Sequence, residues 1–185
     1  MARPTLSDIK LIDQIGELKA VSFSGTVYRL VRDGRDPLTC WHPKGRWDDG
    51  HFDVLYTSLT KDGAIAEVNY HLSQQPFRPD FLTYRLYELS VSEMAILDIS
   101  DASLLTTLGV NLAVWGRSDY TALKDEYLRT QEIAAVAEFH EHEGLKVPSA
   151  RSAANNLVIL TPKAVEKHVS KAKDLGLVDW DKLET

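Results

Sequence analysis

Five polar residues have the types and positions needed to hold and cut a phosphorylated sugar compound: Arg29, Arg46, Tyr56, Glu67 and Ser149. Each lies in a local pattern that a hydrophobic core alone does not require. The patterns are two strand-like runs, a glycine-flanked turn, a helix-like run and a Pro-Ser turn before a strand. If these segments converge, one cleft contains two cations, an aromatic ring, a carboxylate and a hydroxyl. This inventory suits a dianionic dinucleotide whose glycosidic bond is to be broken.

Glu67 is the candidate catalytic carboxylate. Cleavage of the bond between nicotinamide and ribose in NAD builds positive charge on the ribose, as in glycoside hydrolysis. One nearby carboxylate is enough, because nicotinamide leaves as a neutral base and needs no general acid. Glu67 falls at the border of an apolar helical stripe formed by Ala64, Ile65, Val68 and Leu72, and can point into a cleft. A solvated helix carboxylate is the competing interpretation.

Arg29 and Arg46 are candidates for binding the phosphates. Gly45 lets the backbone approach a ligand beside Arg46, and a guanidinium binds phosphate through two hydrogen bonds. Stacking of Arg46 on Trp47 is the alternative. Arg29 follows Tyr28 in a strand-like run, where an inward-facing arginine needs an anion. A solvent-facing or sheet-edge arginine is the alternative there.

Tyr56 and Ser149 complete the candidate site. The Tyr56 ring can stack on nicotinamide while its hydroxyl reaches a ribose oxygen, although a tyrosine in an apolar strand is more often part of the core. Ser149 follows Pro148 and can donate to a phosphate or to the ribose, although a serine there is more often a turn or cap residue. Arg151 and either Asn155 or Asn156 are expected to support this loop.

The elements that must position these residues follow from periodicity and from turn residues. A strand is expected at 26–31, a long loop at 32–50, a strand at 52–58 and a helix at 62–74, ending before Pro76. Further along, the pattern predicts strands at 84–91, 95–99 and 156–161. Helices are predicted at 6–19, 100–108, 121–143 with Gly144 as its C-cap, and 163–174, and a loop at 111–120. Without regular βαβ alternation, this order favours a single α+β domain.

Composition restricts the class of protein. A chain of 185 residues with 44% hydrophobic residues is long and apolar enough for one domain with a sizeable core. Its net charge of −6 argues against a general nucleic-acid-binding surface. The single cysteine, Cys40, fits a reducing cytoplasm. Charged residues interrupt the first 20 positions and no long apolar run occurs, so neither a signal peptide nor a membrane span is expected.

Metal and classical nucleotide sites are not expected. His140 and His142 are two apart, and a helix would point them about 200° away from each other. Cys40 has no second cysteine with which to bind zinc. The chain has neither a Gly-x-Gly-x-x-Gly fingerprint nor a Gly-Lys-Ser/Thr loop.

Short motifs follow one another along the chain: Tyr28-Arg29, Gly45-Arg46-Trp47, Leu55-Tyr56, Ala66-Glu67, Thr130-Gln131, Val147-Pro148-Ser149-Ala150-Arg151 and Asn156-Leu157-Val158. In this order they resemble the RES domain family, from about residue 25 to residue 162. The resemblance divides the chain into an N-terminal helical extension over 1–24, the RES domain over 25–162 and a C-terminal helical segment over 163–185. The family pattern often has a glycine before the asparagine, where this chain has none. That departure leaves Ser152 as a rival to Ser149.

The resemblance implies a fold similar to the ADP-ribosyltransferase toxins, with a small mixed or antiparallel β core flanked by helices. It also implies a toxin that depletes NAD by phosphorolysis or hydrolysis, with inorganic phosphate as a co-substrate in the first case and no cofactor. By position, Arg29 and Arg46 would bind the phosphates, Tyr56 would pack against nicotinamide, Glu67 would stabilise the ribosyl cation and Ser149 would complete the pocket. The implied partner is an antitoxin with an Xre-like helix-turn-helix domain, and a homodimer is a further expectation. Transfer of ADP-ribose to a protein, or nucleotide binding without catalysis, are the alternatives.

Overall fold

The computed structural model describes residues 8–75, 82–116 and 120–180. Its helices are α1 Ile9–Gly16, α2 Lys61–Ser73, α3 Ala102–Thr107, α4 Tyr120–Phe139 and α5 Pro162–His168, with a short 3-10 helix at Leu112–Val114. Its strands are β1 Val21–Arg32, β2 Leu55–Ser58, β3 Tyr84–Asp98, β4 Gly144–Pro148, β5 Asn155–Ile159 and β6 Val169–Leu177.

One mixed sheet contains all the strands of the described ranges. Their order is β1-β2-β5-β4-β3-β6, and β1 also pairs with β3. The pairings β1-β2-β5-β4-β3-β1 therefore close into a ring, and β6 extends the sheet beside β3. The β3–β4 pair is parallel, whereas the other pairs are antiparallel. A mixed sheet with helices packed on it confirms the predicted single-domain α+β fold.

Three hydrophobic clusters fix the helices on the sheet. In the first, α1 and α4 pack against the sheet, with Ile133 and Leu145 fully buried. In the second, Ala164 of α5 joins residues of β1, β3 and β5. In the third, Leu72 of α2 packs with Leu30 of β1. Within the described residues, no helix combines the length and the apolar character that crossing a membrane would require.

The helix α2, which bears Glu67, begins where a local capping signal places it. The Thr60 hydroxyl accepts a hydrogen bond from the Gly63 N–H at 3.0 Å, and Asp62 puts a negative charge in the first turn. The buried Ala64 lies on the side that faces the sheet. The predicted helix over 62–74 is confirmed, and Glu67 lies in its middle, held by the rigid part of the element.

The strand β3 is one continuous strand where the sequence predicted two shorter strands at 84–91 and 95–99. Glu93 lies between the two predicted strands and has a φ of 49°, and its N–H donates to the Ser24 hydroxyl at 2.8 Å. The register with β1 shifts nearby, between Phe23 and Gly25. The irregularity breaks the sequence alternation without ending the strand, because pairing with β1 continues on both sides of it.

The prediction that Gly144 caps a helix over 121–143 is wrong. The helix α4 ends at Phe139, and Glu141 then takes the left-handed conformation with a φ of 62°. Gly144 is the first residue of β4, a strand that the sequence did not indicate. A Cβ at Gly144 would lie 3.1 Å from the Ile96 side chain and 3.2 Å from the Val158 carbonyl oxygen. The glycine therefore serves close strand packing.

The expected helical segment over 163–185 is also wrong. The helix α5 ends at His168, and Val169–Leu177 forms the antiparallel strand β6 beside β3. The predicted helix over 163–174 thus ends six residues early, and its second half belongs to the strand. Hydrogen bonding to β3 overrides the local helical pattern. Residues 181–185 lie outside the described ranges.

The N-terminal helix ends earlier than the sequence indicated. It was expected within a helical extension over 1–24, but α1 covers Ile9–Gly16 and β1 begins at Val21. Leu11 and Ile15 are the buried residues, whereas Ile9 is 72% exposed. Ile12 also packs against the core, so the helix contacts the rest of the protein through Leu11, Ile12 and Ile15.

Glu143 joins β3, the start of β4 and α5 through one carboxylate. It accepts hydrogen bonds from the Ala95 N–H at 2.8 Å, the His168 ring at 2.9 Å and the Lys167 ammonium at 3.0 Å. Partial burial raises the pKa of Glu143, but these hydrogen bonds outweigh that effect and lower its pKa to about 2. Glu143 is therefore negatively charged in the folded protein at neutral pH, and its charge holds these three elements together.

Replacing Glu143 with glutamine should lower the free energy of unfolding at pH 7 by about 1.5–3 kcal/mol, because it removes hydrogen bonds to a charged group. The folded-state pKa is depressed, so this contribution is fully present above the ordinary value of 4.5 and is lost as the pH falls towards about 2. Urea unfolding at several pH values measures both effects. Glu166→Gln, an exposed position on α5, is the control. Equal free energies of unfolding for the two variants at pH 7 would contradict the stabilising role of the Glu143 carboxylate.

Candidate active site

A cleft of about 590 Å³ brings the predicted site residues together. Arg29, Arg46, Tyr56 and Glu67 all line it. Ser149 is 7% exposed and joins the site through its contact with Glu67. The cleft is of the size that small-molecule ligands occupy in proteins. Residues from β1, β2, α2 and the loop between β1 and β2 therefore meet at one place, although they are far apart in the sequence.

Glu67 has one oxygen fixed and one oxygen available. Its Oε1 accepts hydrogen bonds from the Ser149 hydroxyl at 2.7 Å and from the Asn156 amide nitrogen at 2.9 Å. Among the described residues, none donates a hydrogen bond to Oε2. The two bonds to Oε1 orient the carboxylate in a wall of the cleft. This arrangement leaves Oε2 able to face a developing positive charge.

Ser149 organises the loop between β4 and β5 as well as Glu67. Its hydroxyl donates to Glu67 and accepts from the backbone N–H groups of Arg151 at 3.0 Å and Ser152 at 3.2 Å. The Ser152 hydroxyl, by contrast, accepts from the Ala154 N–H at 3.3 Å within the loop. Of the two rival serines, Ser149 is therefore the one that holds the carboxylate.

Asn156 is a second residue that supports Glu67, at the start of β5. Its Nδ2 donates to Glu67, and an Oδ1 in that place would repel the carboxylate. Its own Oδ1 is buried and has no hydrogen-bond partner among the described residues. From the sequence Asn156 is expected only to support the loop, whereas it contacts the candidate catalytic carboxylate directly.

Tyr56 contributes its ring to the cleft but has its hydroxyl engaged elsewhere. The hydroxyl donates to Asp48 Oδ2 at 3.0 Å and accepts from the Trp47 N–H at 3.0 Å. Burial raises the pKa of Tyr56 well above its ordinary value, and the charge of Asp48 raises it further. The hydroxyl therefore stays protonated and donates its hydrogen bond to Asp48. It cannot at the same time donate to a ribose oxygen, as the sequence suggested.

Arg46 lies among aromatic side chains that sequence reasoning did not find. Its guanidinium carbon is 4.3 Å from the centroid of the Trp115 ring and 4.9 Å from that of Tyr127. The side chain is buried, with 9% exposure. Stacking holds the guanidinium plane while its N–H groups point along that plane. Neither aromatic partner could be found from the sequence, because both belong to segments remote from the Arg46 turn.

Arg29 also lies in the wall of the cleft and remains partly unsatisfied. Its Nη2 donates to the Thr39 carbonyl oxygen at 3.0 Å. Its Nη1 is buried without a hydrogen-bond partner among the described residues. Burial lowers the pKa of Arg29 to about 10, so the group is still cationic at neutral pH. An inward-facing strand arginine with an unused donor fits a nearby anionic ligand.

The cleft is locally positive on a chain whose net charge is −6. Among the described residues, its lining contains the cations Arg29, Lys44, Arg46 and Arg151 and the carboxylate of Glu67. The guanidinium of Arg151 lies 3.3 Å from the centre of the Tyr70 ring and donates to the Gly116 carbonyl oxygen at 2.5 Å. Such a concentration of positive charge attracts an anion.

His71 lies one turn beyond Glu67 on α2 and also lines the cleft. Burial lowers the pKa of His71; the charge of Glu67 opposes this shift, and that of Arg151 adds to it. The ring is therefore mainly neutral at pH 7 and adds little to the positive charge of the site.

Asp48 is the buried site residue that the sequence did not reveal. It has no exposed surface, and it accepts hydrogen bonds from the backbone N–H groups of Lys44 and Gly45, each at 2.8 Å, as well as from Tyr56. The available signal was its position in a glycine-containing loop, because aspartate side chains commonly accept from nearby loop N–H groups. Gln131, on α4, donates to the Gly45 carbonyl oxygen at 2.7 Å and supports the same loop.

A metal site is not found in the part of the chain that the structure describes, since it has no group of three or more histidine, cysteine, aspartate or glutamate side chains placed to hold an ion. The rings of His140 and His142 are 6.5 Å apart, and His140 contacts the Ile12 carbonyl oxygen at 3.1 Å.

Comparison with known proteins gives a family and a fold. The family model of the RES domain matches residues 26–181, which extends past residue 162, where the motif resemblance ends. No curated protein matches the chain. A chain in the crystal structure of the M. tuberculosis MbcT–MbcA toxin–antitoxin complex has a similar fold, with a TM-score of 0.79 and 20% identity. The alignment covers 96% of this chain and 97% of that chain.

The matched span contains most of the sequence and every predicted site residue, and the structural likeness extends over nearly all of both chains. On this evidence the protein belongs to the RES domain family.

Proposed function

We propose that this protein breaks the nicotinamide–ribose bond of NAD and acts as the toxin of a toxin–antitoxin pair. The observation that carries the proposal is the Glu67 carboxylate in a positively charged cleft. Ser149 and Asn156 hold its Oε1, and among the described residues Oε2 has no hydrogen-bond donor. A binding module for an anionic ligand gains little from such a carboxylate. An enzyme that must stabilise a cation on a sugar gains much.

The reaction needs one bond to break and one to form at the ribose carbon that carries nicotinamide. The electron pair of the C–N bond leaves with nicotinamide, which becomes neutral, and positive charge spreads over the ribose carbon and ring oxygen. Glu67 stabilises that charge from its fixed position. Because the ring nitrogen of nicotinamide loses its positive charge on departure, no residue has to protonate the leaving group.

The cations of the cleft bind the negatively charged part of the substrate, its pyrophosphate. Arg29 and Arg46 hold the pyrophosphate, because guanidinium groups pair with phosphate oxygens in a fixed plane. The Tyr56 ring forms an apolar surface for nicotinamide, while its hydroxyl stays with Asp48. This division of roles places the phosphates on the positive residues and the reacting sugar beside the carboxylate.

The nucleophile is inorganic phosphate or water, entering on the face of the ribose opposite nicotinamide. Phosphate would give the phosphate ester of ADP-ribose, and water would give ADP-ribose with release of a proton. Neither route uses a cofactor, and both take place in the cytoplasm, where NAD is the substrate.

The toxin assignment rests on the fold shared with a chain of the M. tuberculosis toxin–antitoxin complex. An enzyme that destroys NAD harms the cell that makes it unless its cleft is blocked. The partner we propose is an antitoxin with an Xre-like helix-turn-helix domain that covers the cleft.

Purified protein incubated with NAD should release nicotinamide, and Glu67→Gln should slow release about a hundred- to a thousandfold. Glutamine retains an acceptor oxygen for Ser149 and Asn156, so the melting temperature should change little. Chromatography of nicotinamide, with and without inorganic phosphate, distinguishes phosphorolysis from hydrolysis, and labelled NAD reveals transfer to protein. Asp62→Asn, on the exposed first turn of α2, is the control. Nicotinamide release by Glu67→Gln at the wild-type rate would refute the role of the carboxylate.

The two serines of the β4–β5 loop should respond differently to replacement by alanine. Ser149→Ala loses the bond that orients Glu67 and leaves two loop N–H groups without their acceptor. It should lower turnover about tenfold and the free energy of unfolding by about 1–3 kcal/mol. Ser152→Ala should cost less than about 0.5 kcal/mol and retain activity. Nicotinamide release and urea unfolding measure these effects. A greater loss of turnover and stability in Ser152→Ala than in Ser149→Ala would show that Ser149 is not the serine that holds Glu67.

Induced expression in a bacterial host should stop growth and deplete cellular NAD, whereas the Glu67→Gln variant at equal protein level should do neither. The reason is that growth arrest follows from turnover rather than from the folded protein itself. Cell density and extracted NAD are the measurements. Growth arrest by the inactive variant would point to a toxicity unrelated to NAD cleavage.

A further inference from the structure

We propose that Asp48 is a positioning residue that holds the phosphate-binding turn and the nicotinamide wall of the cleft in one arrangement. The proposal rests on the proposed function for what the cleft binds, and on the contacts of Asp48 for how the cleft is held. Asp48 is fully buried and does not itself line the cleft. It acts through Arg46 and Tyr56, which do line it.

Three hydrogen-bond donors converge on the Asp48 carboxylate. Its Oδ1 accepts from the Lys44 N–H, and its Oδ2 accepts from the Gly45 N–H and from the Tyr56 hydroxyl, at 2.8 to 3.0 Å. A carboxylate can accept on both oxygens, whereas an asparagine would present an N–H₂ group to one side. At least one of these donors would then face another donor, in a place without access to water.

The turn that Asp48 closes is tight and conformationally demanding. Lys44 has a φ of 57°, which is uncommon for a residue other than glycine. A Cβ at Gly45 would lie 2.8 Å from the Tyr56 hydroxyl oxygen and 3.2 Å from Asp48 Oδ2. The bond from the Lys44 N–H to Asp48 thus secures a strained backbone position two residues before Arg46. Between them, Gly45 is required for the close approach to Tyr56 and Asp48.

The residues on both sides of Arg46 are held as a result. Before it, Gly45 donates its N–H to Asp48 and accepts at its carbonyl oxygen from Gln131 at 2.7 Å. After it, the Trp47 N–H donates to the Tyr56 hydroxyl, which in turn donates to Asp48. The backbone at Arg46 is therefore tied to β2 and to α4. Loss of the Asp48 charge would loosen the turn and the Tyr56 ring together.

The Asp48→Asn variant tests this role in two independent ways, with Asp53→Asn as the control. Asp53 lies in the same loop, but its side chain is 45% exposed and pairs with the exposed His42. In Asp48→Asn, amide hydrogen exchange at Lys44 and Gly45 should quicken about tenfold or more, while amides of α4 should keep their protection. The affinity for ADP-ribose should fall, and KM for NAD should rise about ten- to a hundredfold with a smaller change in kcat.

A double variant separates positioning from general loss of structure. In a Tyr56→Phe background the link from Asp48 to the Trp47 N–H is already broken, so Asp48→Asn should raise KM less than it does in the wild type. Fully additive effects, or exchange at Lys44 and Gly45 that matches the Asp53→Asn control, would overturn the proposal. Faster exchange with unchanged ADP-ribose affinity and KM would overturn it too, because the anchor would then have no consequence for the ligand.

The outcome does not depend on whether NAD is the substrate. A wild-type protein that binds ADP-ribose without releasing nicotinamide would refute the proposed reaction, while hydrogen exchange and ADP-ribose affinity still decide the role of Asp48. An active wild-type enzyme whose Asp48→Asn variant matches it in exchange, affinity and KM would refute the positioning role alone.

Discussion

The contact on which the candidate site depends is the pair of hydrogen bonds from Ser149 and Asn156 to Oε1 of Glu67. These bonds join the middle of α2 to the loop between β4 and β5 and to the start of β5, more than eighty residues further along the chain. They determine where a negative charge stands in an otherwise positive cleft. The closed sheet brings these two segments together, and buried apolar residues on α2 keep the helix at a fixed height above it.

In the function we propose, the site is divided between a catalytic carboxylate and residues that place it and its ligand. Electrostatic stabilisation of a transition state is effective when the charged group is already oriented, since no reorganisation is needed during the reaction. Ser149 and Asn156 perform this task for Glu67, and Asp48 performs it for Arg46 and Tyr56. The division explains why a hydroxyl that looked like a ligand group, that of Tyr56, is engaged within the protein instead.

Local signals in the sequence were sufficient for some elements and insufficient for others. The helix around Glu67 could be predicted because its apolar spacing marks it, although Thr60 was not recognised as its N-cap. The strand β6 could not, since pairing with β3 decides its conformation, and Gly144 was mistaken for a cap because its close packing against Ile96 depends on the assembled sheet. In the site, too, the sequence indicated some residues and not others.

The types and order of the five candidate residues indicated one cleft, and the fold brings them together. Their partners, such as Trp115 beside Arg46, come from segments that no local pattern connects.

The most direct test is a crystal structure of the Glu67→Gln variant with NAD bound. We expect the nicotinamide-bearing ribose within about 3 Å of the residue 67 side chain, the pyrophosphate against Arg29 and Arg46, and the nicotinamide ring on Tyr56. A dinucleotide bound in the opposite direction, with its adenine end beside residue 67, or bound outside this cleft, would contradict this expectation.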